Sequence, residues 1–185
     1  MATTREAKAI VRKQYQLRDE LWPDIEDALW DRNNYRGFTT IPKTMPLILK
    51  IMDEMTKNTP VSDTYLSLWC STWDNSFASL AKPKEMIYAS GFSRSRAEYT
   101  WGTRMKLLQE LRFIDIKPGR SGPMSHALLW NPHFVIRWHH KQKTAGLREE
   151  SYAALVELAL ELGAKDMTNK VALPPPFAEP EASSP

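Results

Sequence analysis

Apolar residues recur at helical spacing along most of this chain. In "TREAKAIVRKQYQLRDELWPDIEDALWDRNN", Ala7, Ile10, Val11, Gln14, Leu17, Leu21 and Trp22 fall near one side of a 3.6-residue period, which predicts an amphipathic helix. Pro23 interrupts it. Proline is tolerated in a first turn but costs about 3 kcal/mol inside a helix, so Pro23 predicts a second short helix carrying Ile25, Ala28 and Leu29. "NNYRGFTTIP" reads as a loop. "TMPLILKIMDEMTKN" predicts another helix, with Thr44 as cap, Pro46 in the first turn, and Leu47, Ile48, Ile51, Met52 and Met55 on the apolar side. In "DTYLSLWCSTWD", Tyr65, Leu66, Trp69, Cys70 and Trp73 line one core-facing stripe.

The pattern changes after residue 75. "NSFASLA" reads as a short strand, and "KPKEMIYASG" as a short helix with Pro83 near its start, Gly91 at its end and Phe92 as a following apolar plug. A longer helix follows in "SRSRAEYTWGTRMKLLQEL", where Ser95 and Glu98 have capping-box spacing. At about 100° per residue, Ala97, Trp101, Met105, Leu108 and Leu111 share one side. Ser95, Arg96, Tyr99, Gly102, Thr103 and Lys106 occupy the other, a face of small or hydrogen-bonding residues. Arg104 falls within the apolar stripe, which predicts that it snorkels or pairs with an acid.

Next, Ile114 and Ile116 alternate with Asp115 and Lys117, and Leu128 and Trp130 with Ala127 and Leu129. This predicts a hairpin with a long basic tip, "KPGRSGP". Asn131 before Pro132 can cap a helix through "HFVIRWHHKQK". "REESYAALVELALELGAK" predicts a last helix, closed by Gly163, that buries Leu147, Tyr152, Leu155, Leu158, Ala159 and Leu162. The expected fold class is mainly α with a small β-hairpin.

The 185 residues, 42% hydrophobic and 25% charged, suffice for one good core. The expected divisions are an N-terminal helical extension packing on the core (1–58), a central domain (59–143), a C-terminal helix (144–167) and a proline-rich disordered tail (168–185). The single cysteine, Cys70, excludes an internal disulfide and a thiol-rich zinc site, and its place on a tryptophan-lined stripe reads as a buried inert thiol. "MATTREAKAIVRKQYQLRDE" has no signal-peptide apolar core and no stretch reaches the length of a membrane span, so a cytoplasmic protein with no membrane partner is expected.

Charge is unevenly placed. The formal net charge is +3, yet residues 82 to 143 hold twelve Lys and Arg against four Asp and Glu, and the flanks are net acidic. Such clustering is the footprint of a polyanion partner, although a solvated basic face would look the same in sequence. His126, His133, His139 and His140 lack acids at ligand spacing and read as surface or junction residues, so no metal or cofactor is expected. The paired acids lie on polar faces, and no phosphate-cradling loop or nucleophile elbow occurs; the reading is of a protein that is not an enzyme.

"KPKEMIYASGFS", "SRAEYTWGTRMKLLQEL" and "RFIDIKPGRSGPMSHALLWNP" together resemble the first helix and turn, the recognition helix and the wing of the winged helix-turn-helix family, over residues 61 to 132. Within it they are most similar to DNA-binding domains of plasmid and phage replication or maintenance proteins. The long N-terminal helices and the "YAALVELALELGA" helix lie outside the shared unit. The resemblance implies a sequence-specific partner, double-stranded DNA, in replication, maintenance or transcription regulation on bacterial nucleoid or plasmid DNA. It implies a DNA-binding set of Lys82, Lys84, Ser93, Arg94, Ser95, Arg96, Tyr99, Thr103, Lys106, Lys117, Arg120 and Ser121. Arg94 and Arg96 would take guanine edges or phosphate, Tyr99 and Thr103 bases one turn deeper, and Lys106 and the wing the backbone or minor groove. A homodimer through the terminal helices would set two wings on two half-sites. Winged helices also serve as docking surfaces, so a protein-interaction adaptor without enzymatic activity is the alternative.

Overall fold

A computed structural model describes residues 4–178, and the chain divides between Phe38 and Thr39 into two units. The first begins with helix α1 (Thr4–Leu21). The short helix expected after Pro23 is only a 3-10 turn, Glu26–Ala28, with no buried residue. Asp31 holds the following bend by accepting bonds of 3.0 Å from the Asn33 backbone and side-chain N–H groups and from the Asn34 amide. Trp30 meets Phe38 edge-on at 5.8 Å, and Arg32 lies over the same ring. No residue between 9 and 38 is buried.

The second unit opens with helix α2 (Met45–Met55), whose apolar side is the predicted one: Ile48, Ile51 and Met52 are fully buried. This helix belongs to the core of the second unit, so the expected boundary at residue 58 moves to residue 38. Thr44 sits at the cap position but gives its hydroxyl to His133 Nε2 at 2.8 Å, and no side-chain cap forms. Asp53 reaches forward to helix α3 (Ser62–Cys70), accepting from the Val61 and Ser62 N–H groups at 2.7 and 2.9 Å and from the Ser62 hydroxyl at 2.7 Å. One carboxylate thus satisfies two orphan donors of a helix start, where the dipole favours negative charge.

Helix α3 turns Val61, Thr64, Tyr65 and Leu68 inward. That arc differs from the expected stripe. Cys70 is exposed, because it stands two residues, about 200°, from buried Leu68; Trp73 lies beyond the helix end and is 82% exposed. Strand β1 (Phe77–Ser79) follows, then helix α4 (Pro83–Ala89), which ends where Gly91 takes φ +81 and Phe92 donates back to the Ile87 carbonyl at 3.1 Å. Only glycine enters that left-handed turn without strain. Helix α5 (Ala97–Glu110) leads into the hairpin of β2 (Ile114–Gly119) and β3 (Gly122–Leu129). With β1 these form a three-stranded antiparallel sheet in the order β1-β3-β2, so the fold is mainly helical with one small sheet.

Helix α6 (Pro132–Lys141) starts as predicted, with the Asn131 side chain accepting from the His133 N–H at 2.9 Å. Helix α7 (Glu149–Leu162) ends at Gly163, in the left-handed region. It buries Leu155 and Ala159, leaves Leu162 exposed, and is tied to α2 where the Ser151 hydroxyl, bonded by Lys50, donates to Glu54 at 3.0 Å.

The tail expected to be disordered packs over its described part. Phe177 is buried and meets Trp130 edge-on at 5.7 Å, and Arg137, which also holds the Asp166 carbonyl just before the tail, donates to the Val171 carbonyl at 2.8 Å. Residues 179–185 lie outside the described residues.

Candidate nucleic-acid interface

The apolar side of α5 does what its spacing demands. Trp101, Met105 and Leu108 are buried, and Tyr65 of α3 closes the core against Phe113, edge-on at 6.0 Å. The other side is therefore fixed in direction. Arg96, Tyr99 and Lys106 are exposed, Tyr99 to 78%. Thr103 is half-buried and its hydroxyl donates to the Tyr99 carbonyl at 3.0 Å. Gly102 faces the hairpin: a methyl group there would lie 3.9 Å from Met124 Cε of β3. Met124 thus brings the hairpin alongside the polar face of α5.

The start of α5 differs from the expectation. The Ser95 and Glu98 capping box does not form; Arg96 holds the cap position without a side-chain bond, and a turn closed from the Ala97 N–H to the Arg94 carbonyl at 2.8 Å leads into the helix. The connection from α4 runs over residues 90–96, longer than a three- or four-residue turn. Ser93, Arg94, Ser95 and Arg96 are all exposed on it. Arg94 and Arg96 pair with no acid among the described residues, and Glu98 one turn on neutralises neither. Two unpaired guanidinium groups thus stand at the positive end of a helix, the placement the dipole disfavours.

The hairpin tip is short. Gly119 pairs with Gly122, so the strands run through most of the expected loop and leave Arg120 and Ser121 as a two-residue turn, both exposed. Pro118 interrupts the register between Lys117 and Gly119, as a residue without an N–H must. Gly119 has no room for a side chain: a Cβ would lie 2.7 Å from His126 Nε2 and 2.8 Å from Ser125 Cβ.

Lys82 and Lys84 are exposed at the start of α4. Lys82 pairs with Glu85 at 3.2 Å and Lys117 with Asp115 at 3.1 Å, surface pairs worth little and readily exchanged for another anion. Lys84, Lys106 and Arg120 have no acidic partner among the described residues. Tyr88 escaped the sequence reading; it is 75% exposed one turn after Lys84, and that i, i+4 spacing was its available signal. The basic segment is not one patch, however. Arg137 is consumed by the tail carbonyls, and Arg112 lies over Trp138 at 4.5 Å. Arg104 finds no acid, and its Nε is buried without a partner.

Of the four histidines read as surface or junction residues, His133 and His139 are buried at junctions between elements. His139 Nε2 donates to the Leu111 carbonyl at the end of α5, 2.8 Å away, and Nδ1 accepts from the Thr144 hydroxyl at 2.9 Å. Burial, aided by the Arg112 charge and opposed by the Leu111 carbonyl, holds this imidazole below its ordinary pKa. His133 Nδ1 bonds Asp166 at 3.0 Å while Nε2 meets the Thr44 hydroxyl. Burial pushes the Asp166 carboxyl up, but bonds from Asn131 and His133 outweigh it and hold the group below the usual range. Hydroxyl, imidazole and carboxylate stand in the order of a nucleophilic relay, yet Thr44 is 1% exposed and does not line the neighbouring 470 Å³ cavity. The network joins the start of α2, the start of α6 and the short turn at Asp166.

A cavity of about 800 Å³ between α6, α7 and the tail is lined by none of the predicted site residues. Among the described residues no cluster of three His, Cys, Asp or Glu could hold a metal ion, and no helix is long and apolar enough to cross a membrane. The predicted residues lie on α4 and its cap, the 90–96 connection, α5 and the hairpin, all exposed except half-buried Thr103. Comparison with protein-family models, curated proteins and solved structures finds no match.

Proposed function

We propose that this chain binds double-stranded DNA through a winged helix-turn-helix surface, with α5 in the major groove and the β2–β3 turn on the backbone or in the adjacent minor groove. The observation that carries the reading is the pair Arg94 and Arg96, exposed and without acids where the dipole itself calls for an anion. Tyr99 and Lys106 continue the same face, and Met124 holds the hairpin beside it. A helix about 10–12 Å across fits the major groove, where Arg reads guanine and the methyl of Thr103 can meet thymine. Lys84, Lys117 and Arg120 serve the phosphates. Replication, maintenance or transcription regulation is the setting that the resemblance implies.

The test is selection of duplexes from a random pool, followed by titration of the selected duplex. Arg96→Ala and Tyr99→Ala flatten the sequence preference, whereas Lys117→Ala and Arg120→Ala weaken all duplexes alike. The logarithm of affinity falls with the logarithm of salt at roughly 0.9 per phosphate contacted. No enrichment, with binding indifferent to salt and to these substitutions, refutes the reading in favour of an adaptor surface.

A further inference from the structure

Helix α1 presents an uncovered apolar seam. Ile10, Leu17 and Leu21 are 53%, 56% and 58% exposed, and with Gln14 they repeat at spacings of four, three and four. That is the a and d pattern of a two-stranded coiled coil, with Ile10 and Leu17 at d, Gln14 and Leu21 at a. Between residues 9 and 38 there is no buried residue and no cysteine, and none of the described residues there belongs to a cluster that could hold a metal, so this stretch has no core or cross-link of its own. An isolated 18-residue helix is also marginal in water. A partner must supply the missing apolar surface.

The charges beside the seam select that partner. Lys13 and Glu20 occupy g positions, and Val11 and Arg18 occupy e positions. A parallel pair sets Lys13 against Arg18 of the other copy, like against like. An antiparallel pair centred on Gln14 opposite Leu17 sets Ile10 opposite Leu21 and, by symmetry, Lys13 against Glu20 twice. Sliding the antiparallel pair one heptad either way sets Lys13 against Lys13 or Glu20 against Glu20. We infer that α1 pairs antiparallel with α1 of a second copy of this chain, with Ile10 against Leu21 and Lys13 against Glu20. Helix α7 is unsuited to the role, since Leu155 and Ala159 are already buried within its own unit.

The pairing stands apart from the DNA reading, and its test needs no DNA. Sedimentation equilibrium of the full chain should give a concentration-dependent mass rising to twice the monomer, and Leu17→Asp should abolish that rise. Lys13→Glu should weaken the dimer about tenfold, because two attractive contacts become repulsive. Lys13→Glu combined with Glu20→Lys should restore it. A wild-type chain that stays monomeric, a Leu17→Asp variant that keeps the dimer mass, or a Lys13→Glu variant that dimerises more tightly, as a parallel pair would, overturns the assignment.

Discussion

Helices α1 and α2 have similar apolar periodicity and opposite fates. In α2, Ile48, Ile51 and Met52 are fully buried beneath α3 and α7; in α1, Ile10, Leu17 and Leu21 remain more than half exposed. A helical period therefore reports that a face wants cover, while the partner that supplies it is set elsewhere. Charge tells the same story. Arg137 carries its charge into the interior to hold two carbonyls, whereas Arg94 and Arg96 carry theirs outward with nothing to hold. Arg137 thus holds the fold together, while the charges of Arg94 and Arg96 are free for an outside anion.

The contrast can be broken first at the core. Phe113→Ala should cost about 3–5 kcal/mol in urea unfolding of the second unit, because the ring is wholly buried against Tyr65 and beside His139. Asp53→Ala should cost about 2–3 kcal/mol by the same measurement, since three donors at the start of α3 lose one carboxylate. His139 adds a pH signature. Its folded pKa lies below the ordinary 6.5, so its contribution is whole above 6.5 and is lost as pH falls from there through the lower folded value. Unfolding midpoints should drop between pH 7.5 and 5.5, and His139→Gln should shrink the drop.

The smallest effect sharpens the comparison most. The Tyr65 hydroxyl is buried without a partner, and burial raises its pKa, so Tyr65→Phe should be neutral or stabilising by up to about 1 kcal/mol. In Tyr65 the need is structural and unmet, and removing it should cost nothing. A loss above 1 kcal/mol would mean that the hydroxyl is bonded after all.

Local chemistry was legible in the sequence wherever the partner was also local. The apolar side of α2, the ends of α4 at Pro83 and Gly91, the Asn131 cap and the alternation of the hairpin all depend on neighbours within a few residues. Errors gathered where the partner is distant. His133 and His139 were left as surface or junction residues because their partners, Thr44 and the Leu111 carbonyl, are 89 and 28 positions away. The tail read as disordered because it is proline-rich with few apolar anchors; Arg137 and Trp130 supply the rest. Cys70 was misplaced because five aromatic and apolar residues in one short stretch suggested a wider buried arc than α3 has. The exposure of most candidate residues was readable, since the polar side of a helix follows directly from which residues the other side must bury. The absent capping box and the tight turn at Arg120–Ser121 were not, because both depend on backbone geometry that a residue pattern does not fix.

The most direct test is amide chemical-shift mapping of the full chain with a selected duplex. The largest changes should fall together on residues 93–106 and 117–122, with α7 left unchanged. Changes confined to α7 or to residues 9–38, with the α5 face and the hairpin turn unmoved, would contradict the account.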